Sequence, residues 1–165
     1  FILSTLHRSE NVDNKKILSS IIKGLIDSNE NIIFPIHPRT KKRLYEFGLY
    51  DKLSQNNNIQ ILDSVGYFDI LELMKNCSFI LTDSGGIQEE ATSPVIRKKV
   101  LVVRKTTDRP EAVESNLAKI IGLDEKIISK SIKKTMMDPK LYSKKTPYGK
   151  GNASGKILKL LQKHF

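Results

Sequence analysis

Where Leu81-Thr82 gives way to Asp83-Ser84-Gly85-Gly86-Ile87-Gln88-Glu89-Glu90, an apolar run ends in a glycine-paired turn and restarts with helical character. That combination suits the binding of phosphate. Two consecutive glycines let the backbone turn tightly and approach a ligand with no Cβ in the way. N–H groups in the first turn of a helix have no intrahelical acceptor, and the helix dipole adds positive potential, so an anion such as a pyrophosphate is stabilised there. Ser84 adds a hydroxyl; in an ordinary strand-to-helix turn the same side chain would instead cap the helix. Glu90 stands four residues beyond Gly86, about one helical turn along the same face. A carboxylate there is placed to accept hydrogen bonds from hydroxyls next to the phosphate. Phosphate plus diol describes the ribose end of a nucleotide.

Such a turn needs a strand before it and a helix after it, and the surrounding chain supplies both. Short Ile/Val/Leu/Phe runs alternate with segments of helical period, the pattern of an α/β doubly wound parallel sheet covered on both faces. The strands are expected at Phe1–Leu6, Asn31–Ile36, Ile59–Asp63, Ser78–Thr82, Val100–Val103 and Lys119–Ile121. Between the first two, Ile17, Ile21, Ile22, Leu25 and Ile26 form the apolar stripe of an amphipathic helix. Further helices are expected from Pro38 to Gly48, over Phe68–Asn76, after Gly86, from Pro110, over Asp124–Met137 and over Ala153–Gln162. Strand order 3-2-1-4-5-6 follows, with a crevice where the order reverses between strands 1 and 4. His7 and Arg8 fall just past the carboxyl end of strand 1, and Ser84-Gly85-Gly86 just past that of strand 4. Both edges of the expected crevice therefore carry ligand-type residues.

Composition narrows the function class. At 165 residues, 39% hydrophobic and 28% charged, the chain has the makings of one globular domain spanning 1–165. No apolar run approaches membrane-spanning length and no secretory leader is visible, which makes the cytoplasm the expected compartment. Phe1 opens directly into an interior-type strand, so a fragment lacking an N-terminal half is expected. Cys77, the single cysteine, excludes an internal disulfide and a cysteine metal cluster; its apolar neighbourhood reads as a buried thiol. No metal site and no cofactor are expected. The formal charge of +10 is spread over short pairs such as Lys41-Lys42 and Lys133-Lys134. That reads as solvated faces and a field attractive to an anionic ligand, rather than as a nucleic-acid surface.

The segment Thr82–Glu90, followed by Thr106-Thr107-Asp108-Arg109-Pro110-Glu111-Ala112, resembles the signature of the non-hydrolysing UDP-N-acetylglucosamine 2-epimerases. Leu6-His7-Arg8-Ser9-Glu10-Asn11 is similar to that family's histidine-arginine turn, Phe34-Pro35-Ile36-His37-Pro38 to its proline-flanked histidine, and Pro147–Ser154 to its closing glycine-rich loop. The resemblance runs in the family's order along nearly the whole chain and corresponds to the family's C-terminal half. It implies a Rossmann-like C-terminal domain of glycosyltransferase-B architecture that holds the UDP of UDP-N-acetylglucosamine or a related UDP-sugar. It assigns the diphosphate to Ser84, Gly85 and Gly86, the ribose hydroxyls to Glu90, and substrate contacts to His7 and Arg109, with His7 as the catalytic candidate.

Further implications concern the rest of the protein. The family's reaction eliminates UDP across the C1–C2 bond and re-adds it after proton return to the opposite face of C2, using carboxylates that come mainly from the N-terminal half. This chain alone is therefore expected to bind but not to turn over. The full-length protein is expected to be a homodimer serving cell-surface polysaccharide synthesis. Arg8 and His37 correspond to a regulatory sugar-nucleotide site in bacterial members; for His37 a turn residue held by Pro35 and Pro38 is the favoured reading. Ser64-Val65-Gly66-Tyr67-Phe68 departs from the family's uridine pocket, although backbone groups of Val65 and Gly66 could read the uracil edge and Phe68 or Tyr67 stack on it. Two other readings stay open: a UDP-sugar transferase of similar architecture, and a non-catalytic nucleotide-sugar-binding module.

Overall fold

The computed structural model describes residues 1–164. Along the chain it places β1 (Ile2–Thr5), α1 (Ser9–Val12), α2 (Lys15–Ser28), β2 (Ile32–Pro35), α3 (Pro38–Glu46), α4 (Tyr50–Ser54) and β3 (Ile59–Leu62). There follow α5 (Tyr67–Asn76), β4 (Ile80–Thr82), α6 (Gly85–Ala91), β5 (Val100–Val102), α7 (Pro110–Glu114), β6 (Ala118–Ile120), α8 (Glu125–Met137) and α9 (Ala153–His164). The six strands are all parallel and lie in the order β3-β2-β1-β4-β5-β6. The expected doubly wound sheet, with its reversal between β1 and β4, is the one that forms.

Side chains alternate across this sheet, and each face has its own core. Ile2, Phe34, Phe79, Leu81, Leu101 and Val103 meet the buried faces of α2 and α8, while Leu3, Ile80, Val100 and Val102 meet Met74 of α5, Ala91 of α6 and Ala112 of α7. Strands buried on both faces need unbroken apolar runs, which is how these segments read in the sequence. Asn14 caps α2 by accepting N–H bonds from Lys16 and Ile17 at 3.0 and 3.2 Å, and Asn29 ends it in the left-handed region at φ 55°. Pro38 occupies the first turn of α3, and the chain leaves that helix through Gly48 at φ 69°, a conformation that suits glycine. The helices α1 and α4 were not expected, because four or five residues cannot display a helical period. The last helix, α9, keeps every residue from Ala153 to His164 exposed.

Gly24 sets how closely α2 and α8 approach. A Cβ at that position would lie 2.8 Å from Ile128 Cβ and 2.9 Å from the Glu125 carbonyl oxygen. Gly24→Ala is therefore expected to destabilise the fold by about 1–2 kcal/mol, because overpacking outweighs alanine's better helix propensity. Gly155→Ala, in α9 with nothing near its Cβ, should be neutral or stabilising. Urea unfolding midpoints compare the two; a Gly24→Ala variant as stable as the parent would show that the helices separate freely.

Candidate functional site

At the strand-order reversal, one buried carboxylate organises the loop that follows β1. Asp83 has a fully buried side chain and accepts the backbone N–H of His7 at 3.1 and 3.2 Å and that of Arg8 at 3.0 Å. The Asn11 side-chain amide donates to the same carboxylate at 3.1 Å and to the Val103 carbonyl at 2.8 Å, joining the ends of β1, β4 and β5. From the other side, α3 braces this loop. Thr40 donates its hydroxyl to the Leu6 carbonyl, while Arg39 and Arg43 pair with Asp13 and hold its carboxyl at about 2. His7 is thereby presented half-exposed at the mouth of the crevice, its Nδ1 3.6 Å from Asp83 Oδ1, too far for a hydrogen bond.

The glycine turn sits beside it. Ser84 is the N-cap of α6: its Oγ accepts the N–H of Ile87 at 3.4 Å, and its own N–H donates to Thr82 Oγ1 at 3.0 Å. The capping role anticipated as the ordinary alternative is thus present. The helix begins at Gly85, one residue earlier than expected, and the Gly85 and Gly86 N–H groups belong to its first turn, where no intrahelical acceptor exists. Over Gly85 lies an ion-pair cluster. A Cβ there would come within 3.1 Å of Asp108 Oδ1 and 3.5 Å of Arg8 Nη2, so a larger residue would push the Asp108 carboxylate aside by a few tenths of an ångström. Asp108 pairs with Arg8 at 3.0 Å and Arg104 at 2.9 Å, and Arg104 reaches Glu10 at 3.1 Å. Partial burial opposes ionisation of Asp108, but its own backbone amide and the Arg104 and Arg8 guanidiniums outweigh that and hold the carboxyl below its ordinary value.

Arg109 starts α7 and pairs through Nε with Glu89 of α6, with Nη1 donating to the Asp108 carbonyl at 2.8 Å. Glu90 is partly buried. Burial, then the neighbouring Glu89 carboxylate, raise its carboxyl above the ordinary glutamate value, while the nearby Tyr67 phenol opposes the shift. Its Oε2 is buried without a hydrogen-bond partner among the described residues.

A cleft of about 280 Å³ collects Thr5, Leu6, His7, Pro35, Ile36, His37, Ser64, Val65, Ile70, Ser84 and Ile87 at the carboxyl ends of β1, β2, β3 and β4. His7, His37, Val65 and Ser84 therefore converge, whereas Phe68 does not join them. Phe68 is 82% exposed, and its stacking on a base is not prepared by this arrangement. The Gly66 N–H is likewise engaged, donating to Asp69 at 3.0 Å as α5 begins, so it is not free to read a base edge. His37 caps α3, its Nδ1 accepting the Arg39 N–H at 3.1 Å, and its ring lies 5.6 Å from that of His7. A larger cavity of about 530 Å³ lies between Lys99, Leu117, Lys119 and Lys134, away from every motif residue.

Two functional residues escaped the sequence reading. Asp83 was passed over as part of the turn, although an acid directly after a buried strand end is a recognisable signal. Gln88 is fully buried and carried no signal, since its partner Thr107 is 19 residues away. Among the described residues no group of His, Cys, Asp and Glu is arranged to hold a metal ion, and no helix is long and apolar enough to cross a membrane.

An open parallel sheet with a largely apolar cleft, carrying His7, His37 and Ser84, and a glycine turn at its switch point is the architecture of the doubly wound α/β class. The sequence profile of the UDP-N-acetylglucosamine 2-epimerase family matches residues 1–162, and the chain belongs to that family. It is 43% identical to the UDP-N-acetylglucosamine 2-epimerase of Methanocaldococcus jannaschii, covering 98% of this chain and 44% of that protein. The crystal structure of the Methanocaldococcus jannaschii UDP-GlcNAc 2-epimerase in complex with UDP-GlcNAc and UDP superposes with a TM-score of 0.88 at 42% identity, over 98% of this chain and 45% of that one. The Neisseria meningitidis enzyme bound to UDP-GlcNAc superposes with a TM-score of 0.82 at 35% identity, over 98% and 44% of the two chains. The chain thus spans less than half the length of these relatives.

Two measurements probe the site without any ligand. Asp83→Ala strands three buried or half-buried donors and should cost about 3 kcal/mol of stability, read by urea unfolding; an unchanged midpoint would show that the loop does not depend on this carboxylate. Glu90 has a folded-state pKa raised above its unfolded value, so its ionisation opposes folding; the penalty develops as pH rises from the unfolded value to the folded one and is complete above it. Glu90→Gln should therefore raise the melting temperature at pH 7, with the gain fading below pH 4.5, the ordinary glutamate value. Equal melting temperatures at both pH values would contradict this.

Proposed function

We propose that this chain is the UDP-binding, C-terminal half of a two-domain UDP-N-acetylglucosamine 2-epimerase of glycosyltransferase-B type. The observation that carries the reading is the cleft at the β1/β4 reversal, where His7 and Ser84 meet beside the first-turn N–H groups of α6. In this reading the diphosphate lies on Gly85, Gly86 and Ser84, with an Arg109 guanidinium proton completing its coordination. The unpartnered Glu90 oxygen takes the ribose hydroxyls. The base lies toward Val65, using its backbone; Gly66 and Phe68 become contacts only if α5 shifts its first turn.

His7 faces the glycosidic phosphate, either as a hydrogen-bond donor that stabilises departing UDP or as a proton carrier. Elimination across C1–C2 leaves a 2-acetamidoglucal and UDP, and reversal with proton delivery to the other face inverts C2. Removing a weakly acidic C2 proton and returning one to the opposite side calls for groups on two sides of the sugar. The ionisable candidates are His7 and His37 in the cleft and Glu90 on α6; His37 is engaged as the cap of α3 and Glu90 is committed to the ribose, so the remaining bases belong to the N-terminal half. The whole protein then works in the cytoplasm as a homodimer, serving cell-surface polysaccharide synthesis, with Arg8 and His37 near a second, regulatory ligand.

Calorimetry with UDP tests the binding half of this reading. The 165-residue chain should bind UDP, and Arg109→Ala should weaken it about tenfold, the scale of one charge-assisted hydrogen bond. A folded chain that ignores millimolar UDP would refute the proposal. In deuterium oxide the full-length protein should place deuterium at C2 of UDP-N-acetylglucosamine, whereas the 165-residue chain should not. Sugar transfer to an acceptor without deuterium uptake would identify a transferase instead.

A further inference from the structure

We infer that Gln88 is a positioning residue that holds the Arg109 loop against the glycine turn, so that the two sides of the anion site act as one unit. The inference rests on the proposed UDP site. Gln88 is fully buried on α6, facing neither the cleft nor solvent, and both ends of its amide are engaged. Its Nε2 donates to the Ser84 carbonyl at 3.1 Å, and its Oε1 accepts the Thr107 hydroxyl at 2.9 Å. Thr107 Oγ1 in turn accepts the Arg109 N–H at 3.1 Å.

The polarity of this chain is fixed throughout. The Ser84 carbonyl can only accept, so the amide nitrogen must face it; the amide oxygen must then take the Thr107 proton, which leaves the Thr107 oxygen to receive the Arg109 N–H. Flipping the amide would break two bonds together. The two ends of the chain are unequal. The Ser84 carbonyl also accepts the Gln88 backbone N–H at 3.2 Å and remains satisfied without the side chain. Thr107 has no second partner on α6 among the described residues, and the loop's other ties to this side are the partly solvated pairs Arg109–Glu89 and Asp108–Arg8. Loss of the Gln88 amide is therefore felt at Arg109, whose guanidinium must reach a diphosphate lying on Gly85 and Gly86.

A double-variant cycle on the 165-residue chain with UDP as ligand tests this, using Gln88→Met to keep side-chain volume while removing both hydrogen-bonding ends. Gln88→Met and Thr107→Val are each expected to weaken UDP binding by about tenfold. In an Arg109→Ala background, Gln88→Met should cause no further loss beyond twofold. Losses that multiply, or an unchanged affinity in Gln88→Met alone, overturn the inference. Amide hydrogen exchange gives a reading independent of ligand: Gln88→Met should speed exchange at Arg109 about tenfold and leave Ile80, in the sheet, as in the parent. If the parent chain fails to bind UDP, the proposed function falls while this exchange result still decides the Gln88 link; unaltered exchange at Arg109 overturns it.

Discussion

The arrangement of the crevice depends on a carboxylate that never meets solvent. Asp83 sits at the end of β4 with its side chain fully buried, and an isolated charge in such a place would cost many kcal/mol. It is tolerated because two backbone N–H groups and one side-chain amide point at it. The dependence is mutual. A turn that directs the N–H groups of His7 and Arg8 inward, toward one acceptor, turns their side chains outward to the crevice. Asn11 extends the arrangement to Val103, so the ends of three adjacent strands are fixed by one buried polar cluster.

The same logic recurs one layer further out. Thr5 and Thr82 share a hydroxyl contact of 2.7 Å between β1 and β4, and Thr82 then receives the Ser84 N–H, which starts α6 at a defined height above the sheet. Polar groups buried at strand ends specify geometry more sharply than apolar packing does, because each has few acceptable partners. The apolar cores on the two faces supply the stability, and the buried polar residues supply the placement. Stability of the sheet and precision of the crevice are therefore carried by different residues.

This division explains what was legible in the sequence. The strand order and the crevice were readable, because alternating apolar runs and helical stripes are local patterns and the crossover rule turns them into topology. The convergence of His7 and Ser84 followed from that topology. Asp83 left a local signal, an acid at a buried strand end, but its partner His7, 76 residues away, did not, and Gln88 left none, since its partner Thr107 is 19 residues away. Phe68 and Gly66 were expected at a base pocket because the resemblance places the uridine pocket at Ser64–Phe68, but the start of α5 sends Phe68 outward and engages the Gly66 N–H with Asp69. For Ser84 the sequence offered a phosphate contact and a helix cap, and the geometry of α6 shows the cap in place.

The net charge of +10 suggests a crevice that attracts anions by its field, yet the cations nearest the glycine turn are already paired. Arg8 and Arg104 share Asp108, Arg104 also meets Glu10, and Arg109 meets Glu89. Each pair is at least partly solvated, so each is weak and exchangeable. An anion entering the turn meets backbone N–H groups first, and the guanidinium donors left to it, such as Arg8 Nε and Arg109 Nη2, belong to side chains already held by carboxylates. Much of the attraction between unlike charges is thus cancelled before the ligand arrives, and what remains is directional. The surplus lysines, dispersed over solvated faces, act at long range and fade with salt. A crevice wired in this way discriminates by the shape and spacing of hydrogen-bonding oxygens more than by charge alone. Under the proposed function, that is the property a site needs if it holds a diphosphate while the attached sugar leaves and returns.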